Sequence, residues 1–242
     1  MSDPGIYMSD FKVEAPPNAD LMRSLGRLVR GLSALFWGLP AALIVCFTAG
    51  KSDFLRMFGI LPSLICTGLL LFGLWQLGAF QRQERVWRNA LDRARILALV
   101  NFGLSPFLYW SDQRPGNTFF AMMVVVMTAS GLLFLVCLNF VLRRLAAMLP
   151  DEALRLETRQ FTALNLNLLS VTALLGLVYL VYSKVPQPPL PMHALLQMLG
   201  NRPDFWVLML LVPLVLLPLA MTMALLWKTK EVILDNVFSA KE

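Results

Sequence analysis

The side chains that could do chemistry in this sequence are few, and the most unusual are amides set inside long apolar runs. Asn101 follows Arg95 by six positions, Asn165 follows Arg159 by six, Asn139 precedes Arg143 by four, and Asn167 lies two beyond Asn165. Six residues of helix rise about 9 Å, so Asn101, Asn139, Asn165 and Asn167 are predicted to form a polar layer near the cytoplasmic third of a helical bundle. Such a layer could hydrogen-bond helices together, each contact contributing about 0.6 kcal/mol in a membrane. It could also form a vestibule for a neutral or zwitterionic ligand.

Other chemistries lack their residues. Ionisable groups inside membrane helices are the default sign of proton or ion coupling, and the charge-free cores of the apolar runs contain none. The single histidine, His193, lies in a proline-rich loop without neighbouring metal ligands. The three cysteines, Cys46, Cys66 and Cys137, are far apart in sequence and inside apolar runs. They imply neither a disulfide framework nor a zinc site and read as small buried hydrophobes. No Walker A or dinucleotide-binding glycine pattern is present. The expectation is a non-enzymatic protein without a metal or cofactor.

The elements that must position the amides are membrane helices. Of 242 residues, 57% are apolar and only 15% charged, with a mean hydropathy of +0.65. Ordinary soluble domains carry about 25% charged residues. A bilayer core needs about 20 apolar residues per helix, and six stretches fit: about 31–50, 57–80, 95–111, 118–142, 160–183 and 205–227. The runs are continuous rather than alternating, which excludes a transmembrane barrel. The predicted fold is all-α, a polytopic bundle of six transmembrane helices.

Charge sets the direction. With the N-terminus inside, 16 of the 21 Lys and Arg residues fall in inner segments and 5 in outer loops. The positive-inside rule then places both termini in the cytoplasm, as expected of a multi-pass protein of a bacterial plasma (inner) membrane. The net charge of +6 thus belongs to topology and to anionic lipid headgroups, and no nucleic-acid partner is implied. Residues 1–20 read as a flexible cytoplasmic tail, 21–230 as the membrane domain and 231–242 as a second cytoplasmic tail. Trp75, Trp87, Trp110, Tyr182, Trp206 and Trp227 fall near span ends, as interfacial rings do, whereas Trp37 lies within a span and reads as a packing residue. Gly68, Gly73 and Gly78, five apart, do not share one helix face.

A possible parallel hairpin repeat relates about 67–103 to 130–167: Thr67-Gly68-Leu69-Leu70 resembles Ser130-Gly131-Leu132-Leu133, and Arg95 and Asn101 align with Arg159 and Asn165 after a one-residue slip. Each copy would form a charged cytoplasmic hairpin, turning near Arg88-Asn89 and near Leu149-Pro150. The loop from Lys184 to Asp204 should begin extended at its prolines and then form a short surface helix over Met192 to Leu199.

Two function classes follow. The first is an accessory or scaffold subunit of a membrane complex, whose protein partner or second copy docks on the basic hairpins through Arg82, Arg85, Arg88, Arg143 and Arg144. The second is a small facilitator or permease for an uncharged, zwitterionic or lipidic substrate, built on the amide layer and the span prolines. A headgroup-processing enzyme would use Arg82, Arg85, Arg88 and Arg144 as anion binders but lacks a nucleophile or base.

Overall fold

The computed structural model describes residues 19–48, 57–80, 84–149, 151–184 and 203–238. Seven helices account for nearly all of them: α1 (Ala19–Thr48), α2 (Leu61–Leu77), α3 (Arg85–Leu104), α4 (Pro106–Gln113), α5 (Thr118–Met148), α6 (Glu152–Lys184) and α7 (Pro203–Phe238). No strand occurs among the described residues. Four helices are long and apolar enough to cross a membrane, over Met22–Thr48, Thr118–Met148, Glu152–Val178 and Val212–Asp235. The chain is therefore an all-helical protein with several membrane-competent helices. Of the other two expected spans, α2 is apolar but has only 17 residues, about 25 Å of helix, and the stretch 95–111 is divided between α3 and α4.

That division has a local cause. Pro106 has no N–H to give to the Phe102 carbonyl, its partner in a continuous helix. The Ser105 hydroxyl takes that carbonyl instead at 2.9 Å, with the Ser105 amide at 3.4 Å. α4 then starts with Pro106 in its first turn, where a missing donor costs nothing.

The helices form a closed ring. α1 packs on α2, α2 on α3, α3 on α5, α5 on α6, α6 on α7, and α7 returns to α1, with α4 lying against α5. The α1–α2 crossing depends on glycine. A Cβ at Gly31 would stand 2.7 Å from the Gly73 carbonyl oxygen, and one at Gly73 would stand 3.0 Å from that of Gly31, so the two backbones touch. Around this crossing Leu28, Leu32, Leu35, Leu70, Leu74 and Leu77 are buried.

The first hairpin departs from expectation. α2 stops at Leu77, and Arg88 and Asn89 lie within α3 rather than at a turn. Arg95 explains the early end. Its guanidinium donates to the Leu74 carbonyl through Nε and Nη2 at 3.3 Å each and to the Trp75 carbonyl at 3.4 Å. It thereby occupies the orphan carbonyls and negative dipole end of α2. Gly78 makes room for it, since a Cβ there would lie 1.8 Å from Arg95 Nη2. In the second hairpin α5 ends at Met148 and α6 begins at Glu152, the place that the sequence predicts for the reversal. Asp151 Oδ1 caps α6 by accepting from the amides of Ala153 at 2.9 Å and Leu154 at 3.2 Å.

Other expectations are corrected. Trp87 is fully buried against Phe80 rather than interfacial, their rings 6.5 Å apart. Trp37 is 68% exposed on the outside of the ring rather than packed within it. Cys46 is exposed, while Cys66 and Cys137 are partly buried. α7 continues as helix to Phe238, with Thr229 and Ile233 buried, so the expected tail is helical up to that point. The predicted N-terminal tail up to residue 18, the loop 185–202 with His193 and its surface helix, Arg82, and the side chains of Tyr182 and Trp206 lie outside the described residues.

Candidate functional site

α6 turns an unusually polar stripe inward. Leu154, Thr158, Thr162, Asn165, Leu169 and Thr172 recur every three or four residues and are all buried, the spacing of one helix face. α7 answers with Thr222 and Thr229, one heptad apart and both buried. α5 contributes Asn139, also fully buried.

Three of these side chains meet. Asn165 Nδ2 donates to Asn139 Oδ1 at 3.0 Å and to Thr222 Oγ1 at 2.8 Å. Asn139 Nδ2 donates to Thr222 Oγ1 at 3.2 Å and to the Leu135 carbonyl at 2.8 Å. The Thr222 hydroxyl passes its own proton to the Pro218 carbonyl at 2.8 Å. Asn139 and Thr222 are thereby saturated, and the cluster ties α5, α6 and α7 together. Asn165 Oδ1 has no partner, and neither do the Thr158 and Thr162 hydroxyls further along the same stripe.

A second polar tie repairs a proline gap. Pro218 cannot donate to the Leu214 carbonyl, and Thr172 of α6 reaches across to it at 3.1 Å while also bonding its own Leu168 carbonyl at 2.8 Å. Satisfying such a freed carbonyl from a neighbouring helix is what permits proline within a membrane helix.

Above the cluster, away from the end that carries Ala19 and Phe238, the ring encloses a cavity of about 440 Å³. All seven helices line it, including Leu39 and Cys46 of α1, Cys66 of α2, Asn101 of α3, Leu108 of α4, Leu135 of α5, Gly176 of α6 and Leu219 of α7. Leu135 precedes Asn139 by one turn and Leu219 precedes Thr222 by three residues, so the amide–hydroxyl cluster lies just beneath the cavity as its floor. Among the described residues, no carboxylate, histidine, lysine or arginine lines the cavity.

The four predicted amides therefore separate. Asn139 and Asn165 form the bonded core of the floor. Asn101 is buried but stands apart from them in the cavity wall, and its Oδ1 has no partner. Asn167 is exposed, because two residues turn a helix by about 200° and carry it away from Asn165. Thr222 and Thr172 are the partners that the sequence reading missed. Their signal was the heptad spacing of hydroxyls on α6 and α7, hidden within strongly apolar runs. Of the predicted docking arginines, Arg85, Arg88, Arg143 and Arg144 are exposed at the basic end of the ring. There Lys228 also pairs with Glu157 across α7 and α6.

Comparison with known proteins found no matching family model, no matching curated protein and no matching solved structure.

Proposed function

We propose that this chain is a six-span protein of a bacterial plasma membrane, with both termini cytoplasmic, that acts as a facilitator for uncharged, lipidic molecules. In this reading α2 makes one crossing and α3 with α4 makes another, joining the four long helices. The concentration of exposed Arg at the end carrying both described termini supports the orientation.

The observation that carries the functional reading is the cavity lined by every helix of the ring. Its volume falls within the range of about 300–1,000 Å³ typical of small-molecule sites, and its wall is almost wholly apolar. A charged solute would lose its hydration there without compensation. With no acid, base or cation on the wall, movement through it is passive rather than proton-coupled. The hydrogen-bonded floor of Asn139, Asn165 and Thr222 is the closed end that the substrate must pass.

The exposed Arg85, Arg88, Arg143 and Arg144 favour a second reading, an accessory subunit that docks a protein at its cytoplasmic end. Native mass spectrometry of the full chain extracted in native-lipid nanodiscs separates the two. The facilitator reading expects a retained neutral molecule that is lost from Gly176→Phe. Gly176 lines the cavity and has nothing within 4 Å of its Cβ position, so the ring should fill the space without displacing a helix. A stoichiometric protein partner with no retained molecule contradicts the facilitator reading and favours the subunit.

A further inference from the structure

Resting on the facilitator reading, we infer that the cavity selects a neutral amphiphile: one hydrocarbon chain ended by a hydroxyl, which donates a hydrogen bond to Asn101 Oδ1.

Every hydroxyl on the wall has already committed its proton to a backbone carbonyl. Ser63 donates to Ile60 at 2.9 Å, Thr67 to Ser63 at 2.7 Å, Thr128 to Val124 at 2.9 Å and Thr172 to Leu168 at 2.8 Å. The Asn101 Oδ1 atom is different. It is buried without a partner on a residue that lines the cavity, while Asn101 as a whole is only 7% exposed. An amide oxygen left unmatched in an apolar interior is costly. A ligand donor removes that cost.

Its place in the cavity sets the shape of the ligand. A Cβ at Gly68 would meet the Phe102 ring at 3.4 Å, and one at Gly38 would meet Leu70 at 2.9 Å. These contacts put Asn101 level with the inner end of the lining on α1 and α2. A bound head would sit deep, one turn above the floor, and its chain would run outward along Leu43, Cys66 and Val124. Among the described residues the wall offers no charged group to pair with a phosphate or carboxylate head, which favours a neutral one. Burial of the chain supplies affinity for any apolar molecule of suitable length, so the hydroxyl supplies selectivity.

The molecule contains its own reporter. Cys66 lines the cavity, whereas Cys137 is partly buried elsewhere on α5. The full-length protein in nanodiscs is labelled with N-ethylmaleimide, and the rate at each cysteine is read by peptide mass spectrometry. The probes are dodecan-1-ol and its methyl ether, which has the same chain without the donor. Dodecanol should slow labelling of Cys66 and leave Cys137 unchanged, with a Kd about fivefold tighter than the ether, a ratio equivalent to about 1 kcal/mol. Asn101→Leu, and independently Asn101→Met, should bring the alcohol down to the affinity of the ether. Equal protection by both probes in the wild type overturns the role of Asn101 while leaving the facilitator reading in place. Protection by neither probe overturns both.

Discussion

Asn101 and Asn165 occupy matching places in the two similar stretches of the chain, each six residues beyond an arginine, yet their surroundings are opposite. Asn165 lies at the meeting point of α5, α6 and α7 and donates to both Asn139 and Thr222. Asn101 lies in the wall of a cavity, and the carbonyl oxygens of both amides are without a partner. The hairpins that carry them differ in the same way. The first is anchored by backbone contact with α1 at Gly31 and Gly73, with Arg95 closing the end of α2. In the second, Asp151 caps the start of α6, and it is Arg155 rather than Arg159 that reaches back to an α5 carbonyl, that of Ala147 at 3.4 Å. The same residue type, its carbonyl oxygen unmatched in both places, ties three helices together through its N–H groups in one hairpin and lines a cavity in the other. Neighbouring helices, not the local sequence, make the difference.

The largest effect should come from breaking the anchor of the first hairpin. Gly31→Leu drives a side chain into the Gly73 carbonyl and Leu77 and should cost about 3 kcal/mol or more, as severe overpacking does. Gly26→Ala is the control, since nothing lies within 4 Å of that position and the change only improves helix propensity. Thermal unfolding in one detergent should show a large loss for Gly31→Leu and none for Gly26→Ala. Comparable melting of the two would mean that α1 and α2 do not touch at glycine.

A smaller difference should separate the two arginine caps. Arg95→Ala removes donors to two carbonyls and should cost about 1.5 kcal/mol, as for a charged hydrogen bond. Arg155 is exposed and makes one long contact, so Arg155→Ala should cost about 0.5 kcal/mol or less. Equal losses would indicate that both hairpins are capped alike.

The smallest effect is a coupling. Thr172→Val should cost about 1 kcal/mol by stranding the Leu214 carbonyl. In a Pro218→Ala background, where residue 218 regains an N–H for that carbonyl, the cost should nearly vanish. A double-mutant cycle with no interaction energy would remove Thr172 from the repair of the proline gap.

The apolar length of α1, α5, α6 and α7 was legible because hydropathy measures length, and the α5–α6 turn was legible from Pro150, Asp151 and Glu152. Hydropathy does not report which face of a helix turns inward. For that reason Trp37 and Trp87 were assigned to the wrong sides, and Thr222 passed unnoticed inside an apolar run. Helical geometry did carry one answer that was overlooked, since Asn165 and Asn167 cannot share a face. The end of α2 at Leu77 depends on an arginine 18 residues further along the chain, and no local pattern announces such a contact. Asn101 was recognisable as a buried amide, but its lack of a partner emerges only when seven helices enclose a space around it.

The fold depends on Asn165 and does not depend on Asn101. Melting temperatures of Asn101→Leu and Asn165→Leu, measured side by side in the same nanodiscs without added ligand, test it most directly. Asn165→Leu, which deprives Asn139 Oδ1 of its donor and Thr222 of one of its two, should lose about 2 kcal/mol. Asn101→Leu, which replaces an unmatched amide with an apolar side chain, should melt at or above the wild-type temperature. A marked loss for Asn101→Leu, or none for Asn165→Leu, would contradict it.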